Sequence, residues 1–209
     1  TEAIINLLEA RINVLEKSMM NSLSTSLYSD GTGTSGKEVG GLQLLVSDAG
    51  TGTVGGINSS TFTFWQNAQT TATSSAFSVA NVQTDMNTIY LSLVRGADSP
   101  DLVMAGTNAY TAFLGSLQAI QRITSDDMAR SGFTSLQYLN SDVVFDSAAN
   151  TNRMYFLNTD YLRLEVAASR DFVPGEAKMS VNQDSLITPM FWSGNLTCSN
   201  RALQGVIHT

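Results

Sequence analysis

The first 28 residues, TEAIINLLEARINVLEKSMMNSLSTSLY, constrain this chain most. Ile4, Leu8, Ile12, Leu15, Met19, Leu23 and Leu27 recur every third or fourth position. That spacing is one apolar stripe on an α-helix. A helix of this length spans roughly 40 Å, the width of a domain. The stretch holds no Gly and no Pro, so nothing inside it forces a kink. It starts without an initiator Met and without a Ser/Thr/Asp/Asn cap that has room before it, as a fragment or a processed product would. By itself the stripe reads as a core helix, and function must come from the rest of the chain.

The 209 residues suffice for one large domain or two small ones. Hydrophobic content of 43% allows a sizeable core. No apolar run reaches the ~18 residues of a membrane span. A single cysteine, Cys198, excludes an intrachain disulfide and any multi-cysteine metal site. Charged residues make up 14% of the chain, against about 25% in typical soluble domains. Ser, Thr, Asn and Gln take their place. Such a surface suits a chain covered by neighbours, because interface cores are depleted in charge; an ordinary polar secreted protein fits equally. A net charge of −7 argues against phosphate-driven nucleic-acid binding.

Glycines punctuate the exit from the helix at Gly31, Gly33, Gly36, Gly40 and Gly41. Residues 42–47 are short and apolar. A second glycine loop, Gly50 to Gly56, leads into Thr61-Phe62-Thr63-Phe64, whose alternation predicts a strand. Residues 66–78 read as a loop. Val79, Val82, Met86, Ile89 and Leu93 predict a second helix over 79–95, stopped by Gly96 and Pro100. Residues 102–105 read as a buried strand. Thr107 or Asn108 caps a third helix over 108–123, and Asp126-Asp127-Met128 opens a shorter helical turn ending at Gly132. An α-β-α run of this kind puts helices against a sheet. Strands are expected at 143–145, 154–157 and 162–166, with a turn at Pro174-Gly175 and two or three strands between Met179 and Ile207.

Candidate chemistry is sparse. Gly31–Gly36 and Gly50–Gly55 both match G-x-G-x-x-G, but neither has the strand before and helix after that hold a pyrophosphate. Glu38 follows Gly36-Lys37, so there is no P-loop. The sole histidine, His208, lies one residue from the end of the sequence, a poor place for a catalytic base. Cys198 reads as a buried, inert thiol. Asp126 and Asp127 are adjacent and splay apart on a helix, complementing its dipole. Asp30, Glu38 and Asp48 lack metal-ligand spacing. Asn58-Ser59-Ser60 and Asn195-Leu196-Thr197 match the glycosylation sequon, a common accident. Trp65 and Trp192 suit either core or interface. Nothing here argues for an active site, and the expectation is no enzyme, no cofactor and no metal.

The order of features does carry a resemblance. A long helix exits through Asp30-Gly31-Thr32-Gly33 and reaches Gly41-Leu42. A helix, the strand Asp101-Leu102-Val103-Met104-Ala105 and a helix opening at Asn108-Ala109-Tyr110 come next. Then come Val143-Val144-Phe145-Asp146, Arg153-Met154-Tyr155-Phe156-Leu157, Arg170-Asp171-Phe172 and a tail from Gly194-Asn195-Leu196-Thr197-Cys198 to Val206. This resembles the major capsid proteins of tailed bacteriophages, the Hong Kong 97-type fold, over essentially the whole sequence.

The resemblance implies an α+β fold with a long spine helix, peripheral-domain strands and an axial α/β domain. Residues 1–78 would form the first part of the peripheral domain, 79–166 the axial domain, and 167–209 the return strands. It implies a structural subunit that forms hexamers and pentamers of itself around double-stranded DNA, without sequence-specific DNA binding and without a membrane. Scaffolding and portal proteins would be further partners; the site of action would be the virion, with assembly in the host cytoplasm. The family's N-terminal arm and extended loop precede the spine helix, and no residues here match them. No position matches the Lys–Asn crosslink of some relatives. An encapsulin-like protein compartment is the alternative within the fold. A nucleotide-binding α/β enzyme using the glycine loops and an adhesin-like module suggested by residues 66–78 are readings of other classes. Asp30, Gly31, Gly33 and Gly36 in one loop and Arg170, Asp171, Gly175 and Glu176 in another are the candidate assembly contacts. The helix stripe should pack on the tail between Leu186 and Val206.

Overall fold

A computed structural model describes residues 2–118, 136–183 and 186–209. The chain opens with helix α1 (Glu2–Ser26) and two single-turn helices, α2 (Gly33–Gly36) and α3 (Leu42–Leu45). Next come the small hairpin β1 (Thr53–Val54) and β2 (Ile57–Asn58), strand β3 (Ala68–Thr71), helix α4 (Val82–Leu93), strand β4 (Leu102–Ala105) and helix α5 (Thr107–Gln118). Strands β5 (Leu136–Tyr138), β6 (Ser141–Phe145), β7 (Arg153–Leu157) and β8 (Leu162–Val166) continue the chain. The last part holds β9 (Val173–Pro174), β10 (Lys178–Met179), β11 (Leu186–Ile187), β12 (Met190–Phe191), β13 (Gly194–Cys198) and β14 (Gly205–His208).

Six strands form one mixed sheet in the order β3-β14-β7-β4-β6-β5. Strand β7 explains its layering. Met154, Tyr155, Phe156 and Leu157 are all buried, which only a strand covered on both faces achieves. Side chains alternate across a strand. Met154 and Phe156 therefore join the core under α4 and α5, while Tyr155 and Leu157 join a second core with Tyr28, Leu42, Leu45 and Val46. Strand β14 divides likewise, Ile207 to the first core and Val206 to the second. The result is three layers: helices, sheet, and the end of α1 with α3.

On the helical side, α4 buries Val82, Met86, Ile89 and Leu93, its whole apolar stripe. Full burial of each such side chain stabilises by about 1.5–3 kcal/mol. Helix α5 presents Ala109, Ala112 and Phe113, two small residues that admit close approach and one ring that fills the gap. The helix is entered through Gly106, where a Cβ would collide with the Asn150 carbonyl oxygen. Asp85 is buried in the first turn of α4 and accepts from Thr73 N at 3.0 Å and Thr73 Oγ1 at 2.7 Å.

Buried polar groups tie the second core together. Arg201 is fully buried, with no carboxylate partner among the described residues. Its Nε donates to Leu45 O at 2.6 Å, and its Nη2 to Asn67 Oδ1 at 2.9 Å. Burial pulls its guanidinium below its usual range. Gln204 exchanges two hydrogen bonds with the backbone of Asn158, at 3.0 and 3.1 Å. Arg153 grips Asp48 with both Nε and Nη2, the latter at 2.6 Å.

Several expectations need correction. Residues 61–64 form no strand; they lead into a 3-10 turn at Thr63–Trp65, with Phe62 and Phe64 both turned outward. Residues 66–78 are not all loop, because β3 pairs in parallel with β14 at the edge of the sheet. Helix α4 begins at Val82, and Val79 is exposed. The helical turn from Asp126-Asp127 to Gly132, and Ile120 and Ile123 of the third helix, lie outside the described residues.

Candidate assembly interface

The exit from α1 is built by close backbone approach. Leu42 N donates to Leu27 O at 2.7 Å, and a Cβ on Gly41 would collide with that same carbonyl. Gly31 adopts φ +72°, and a Cβ there would sit 3.0 Å from Gly40 Cα. Asp30 fixes the loop by accepting from Thr32 N at 3.0 Å and Thr32 Oγ1 at 2.8 Å. Those bonds hold its carboxyl below the usual range. Asp30 and Gly36 are exposed; Gly31 and Gly33 are half-buried. In the second candidate loop Arg170, Asp171 and Glu176 are exposed, and the Arg170 guanidinium lies 5.6 Å from the centre of the Phe191 ring. Gly175 N donates to Pro189 O at 2.6 Å, which closes the base of the flap that carries β9 to β12.

The two loops share a neighbourhood. A groove of about 330 Å³ lies between Met19 and Leu23 of α1, Lys37 and Val39 after the first loop, and Phe172, Phe191 and Trp192 of the flap. The last turns of α1 thus meet the C-terminal segment, as expected. Gly40 N also donates to Asn195 Oδ1 at 2.9 Å, and Tyr28 shares a core with Val206. The expected packing extends no further. Ile12 and Leu15, in the middle of the stripe, stay 42% and 39% exposed, and Leu186 is 72% exposed. The physical reason is reach: every side chain from Glu9 to Leu15 is exposed, so the described chain does not cover that stretch of the helix.

The larger surface was not singled out by sequence reasoning. Besides the α1 stripe, Met179 and Leu186 (72% each) and Val181 (98%) leave their apolar side chains in solvent on the flap. Phe62 and Phe64 form an outward pair with ring centres 5.9 Å apart. Periodicity alone cannot tell a stripe covered by its own chain from one left open. The usable signal was the low charge of the whole sequence.

Gly50–Gly55 runs into the hairpin β1–β2, whose first strand lies inside it, and no helix N-terminus follows it. His208 pairs with Gln69 Oε1 at 3.3 Å. Cys198 is half-buried, and desolvation pushes its thiol up. Asp48 is engaged by Arg153. Trp65 is half-buried and donates to Val54 O at 3.1 Å. Among the described residues no group of three or more acidic, His or Cys side chains is placed to hold a metal. No described helix is long and apolar enough to cross a membrane.

No protein-family model and no curated protein sequence matches this chain. Solved structures do. A chain of the cyanophage A-1(L) capsid asymmetric unit superposes with a TM-score of 0.65 at 16% identity, covering 97% of this chain and 67% of that one. A virus-like particle from Pyrococcus furiosus aligns at a TM-score of 0.41 and 10% identity over 60% of this chain and 48% of that one. The mixed α+β fold of this chain is similar, over nearly its whole length, to that of a viral capsid protein.

Proposed function

We propose that this chain is a shell subunit of the Hong Kong 97 type, assembling with copies of itself into hexamers and pentamers of an icosahedral bacteriophage capsid around double-stranded DNA. The observation that carries the reading is the likeness to the cyanophage capsid chain across 97% of the sequence. The uncovered apolar residues of α1 and of the flap agree with it, because patches of this kind on a low-charge surface mark contact with other chains. In this reading α1 is the spine, the segments 1–78 and 167–209 form the peripheral part, and 79–166 the axial part. The Asp30–Gly36 loop and the Arg170–Glu176 turn lie at contacts between subunits. A net charge of −7 keeps confined DNA from sticking to the wall.

Nuclease treatment of particles purified from producing cells tests the reading. Particles that protect double-stranded DNA support it. Particles free of DNA and filled with a protein cargo replace it with the compartment reading.

A further inference from the structure

Just past the end of α1, apolar side chains from several elements converge on a cleft of about 200 Å³. Leu27 and Tyr28 after α1, Leu42 of α3, Met104 of β4, Leu157 of β7 and Leu196 of β13 form its walls. Tyr28, Leu42 and Leu157 are buried, while Leu27, Met104 and Leu196 are half-buried. Thr159 is the one exposed residue of the lining, so the cleft opens there. The gap has a cause in the topology. Strands β8 and β13 pair with each other and not with the six-stranded sheet, so their ribbon leans on the second core through Leu162, Leu196 and Cys198 alone. One carboxylate, Asp146, lines the cleft. Its Oδ2 accepts from the Tyr28 hydroxyl and its Oδ1 from Ala148 N. A carboxylate has about four acceptor positions, so capacity remains on both oxygens. No ion pair engages Asp146 among the described residues.

We propose that this cleft binds a small uncharged aromatic molecule carrying one N–H or O–H donor, the chemical class of indole. Volume sets the size. An apolar cavity of roughly 150 Å³ holds one benzene, and drug-sized ligands need about 300 Å³ or more. The cleft falls between them, at one or two fused rings. The lining sets the chemistry: leucine and methionine side chains cover the ring, and its donor reaches the free acceptor capacity of Asp146. The same carboxylate sets the charge, because it repels an anion strongly in a site largely closed to water. The bound ring touches Leu27 and Tyr28 on one side and the strands on the other. It therefore braces the joint between the long helix and the sheet. Every wall belongs to one chain, so the site stands independently of the shell-subunit reading.

Equilibrium dialysis of the full chain against three probes tests the proposal: indole, its donor-free analogue indene, and the anion benzoate. Indole should half-saturate the protein on the order of 1 mM, in keeping with its few atoms. Indene should bind about tenfold more weakly for want of the bond to a charged acceptor, and benzoate should not be taken up. No uptake of indole, or equal uptake of all three, overturns the proposal. Two variants then locate the site. Leu196→Trp fills the cleft and should abolish indole uptake with the circular dichroism of wild type; uptake that persists overturns the placement. Asp146→Asn removes the charge and should admit benzoate. A folded Asp146→Asn chain that still rejects benzoate overturns the assigned selectivity, and this second variant decides the matter if Leu196→Trp does not fold.

Discussion

The hydroxyl of Tyr28 lies 2.7 Å from Oδ2 of Asp146, and the same hydroxyl sits 3.5 Å from Met104 Sδ. Tyr28 comes just past the last turn of α1, and Asp146 follows the last residue of β6. This bond is where the long helix is pinned to the sheet. Burial and the bond to Asp146 push the phenol above its ordinary pKa, so it stays a donor. Tyr28→Phe should therefore lower stability by about 1 kcal/mol. Urea denaturation of wild type and variant checks this; an unchanged midpoint would show that the helix is held by packing alone.

Tyr155 is buried, and its hydroxyl has no hydrogen-bond partner among the described residues. Burial pushes its pKa up to about 12. The folded value is raised, so the associated stability is complete below the unfolded value of about 10 and is lost as pH rises through 12. The loss should approach 2–3 kcal/mol. Tyr155→Phe should leave stability at pH 7 unchanged or raised, and should flatten the decline above pH 10. Thermal unfolding across that range measures both.

Among the described residues, Arg201 rests its fully buried charge on carbonyl and amide oxygens. Arg201→Ala leaves Leu45 O and Asn67 without that donor and opens a cavity. A loss of at least about 3 kcal/mol is expected. Limited proteolysis should then cut first between residues 45 and 67, the segment the guanidinium holds.

Gly31 and Gly36 both have positive φ, +72° and +76°, but only Gly31 faces backbone at close range. Gly36→Ala should cost about 1–2 kcal/mol through the left-handed conformation alone. Gly31→Ala should cost more, because Gly40 must also move. Arg170→Ala, on an exposed turn, should change stability by less than about 0.5 kcal/mol while impairing assembly. Differential scanning calorimetry and sedimentation velocity separate the two effects.

How much of the fold was legible in the sequence depended on whether a local pattern had a local cause. Helix α4 and strand β4 were readable because Val82, Met86, Ile89 and Leu93 bury one stripe and residues 102–105 form a short apolar run. The glycine exit was readable because positive φ at Gly31 and Gly36 demands that residue type. Strand β3 was not, since Ala-Gln-Thr-Thr is polar and becomes a strand only by pairing with β14 at the far end of the chain. The alternation at 61–64 does put Phe62 and Phe64 on one side, but that side is solvent. The stripe of α1 marks a helix correctly but not its packing, because an apolar periodicity says nothing of which chain covers it. Arg201 gave no sequence signal, since its acceptors are backbone oxygens and one amide distant in sequence.

Negative-stain electron microscopy of the full-length protein tests the central claim most directly. The account predicts capsomer rings or closed icosahedral shells. A protein that remains monomeric across the concentrations used for assembly would contradict it.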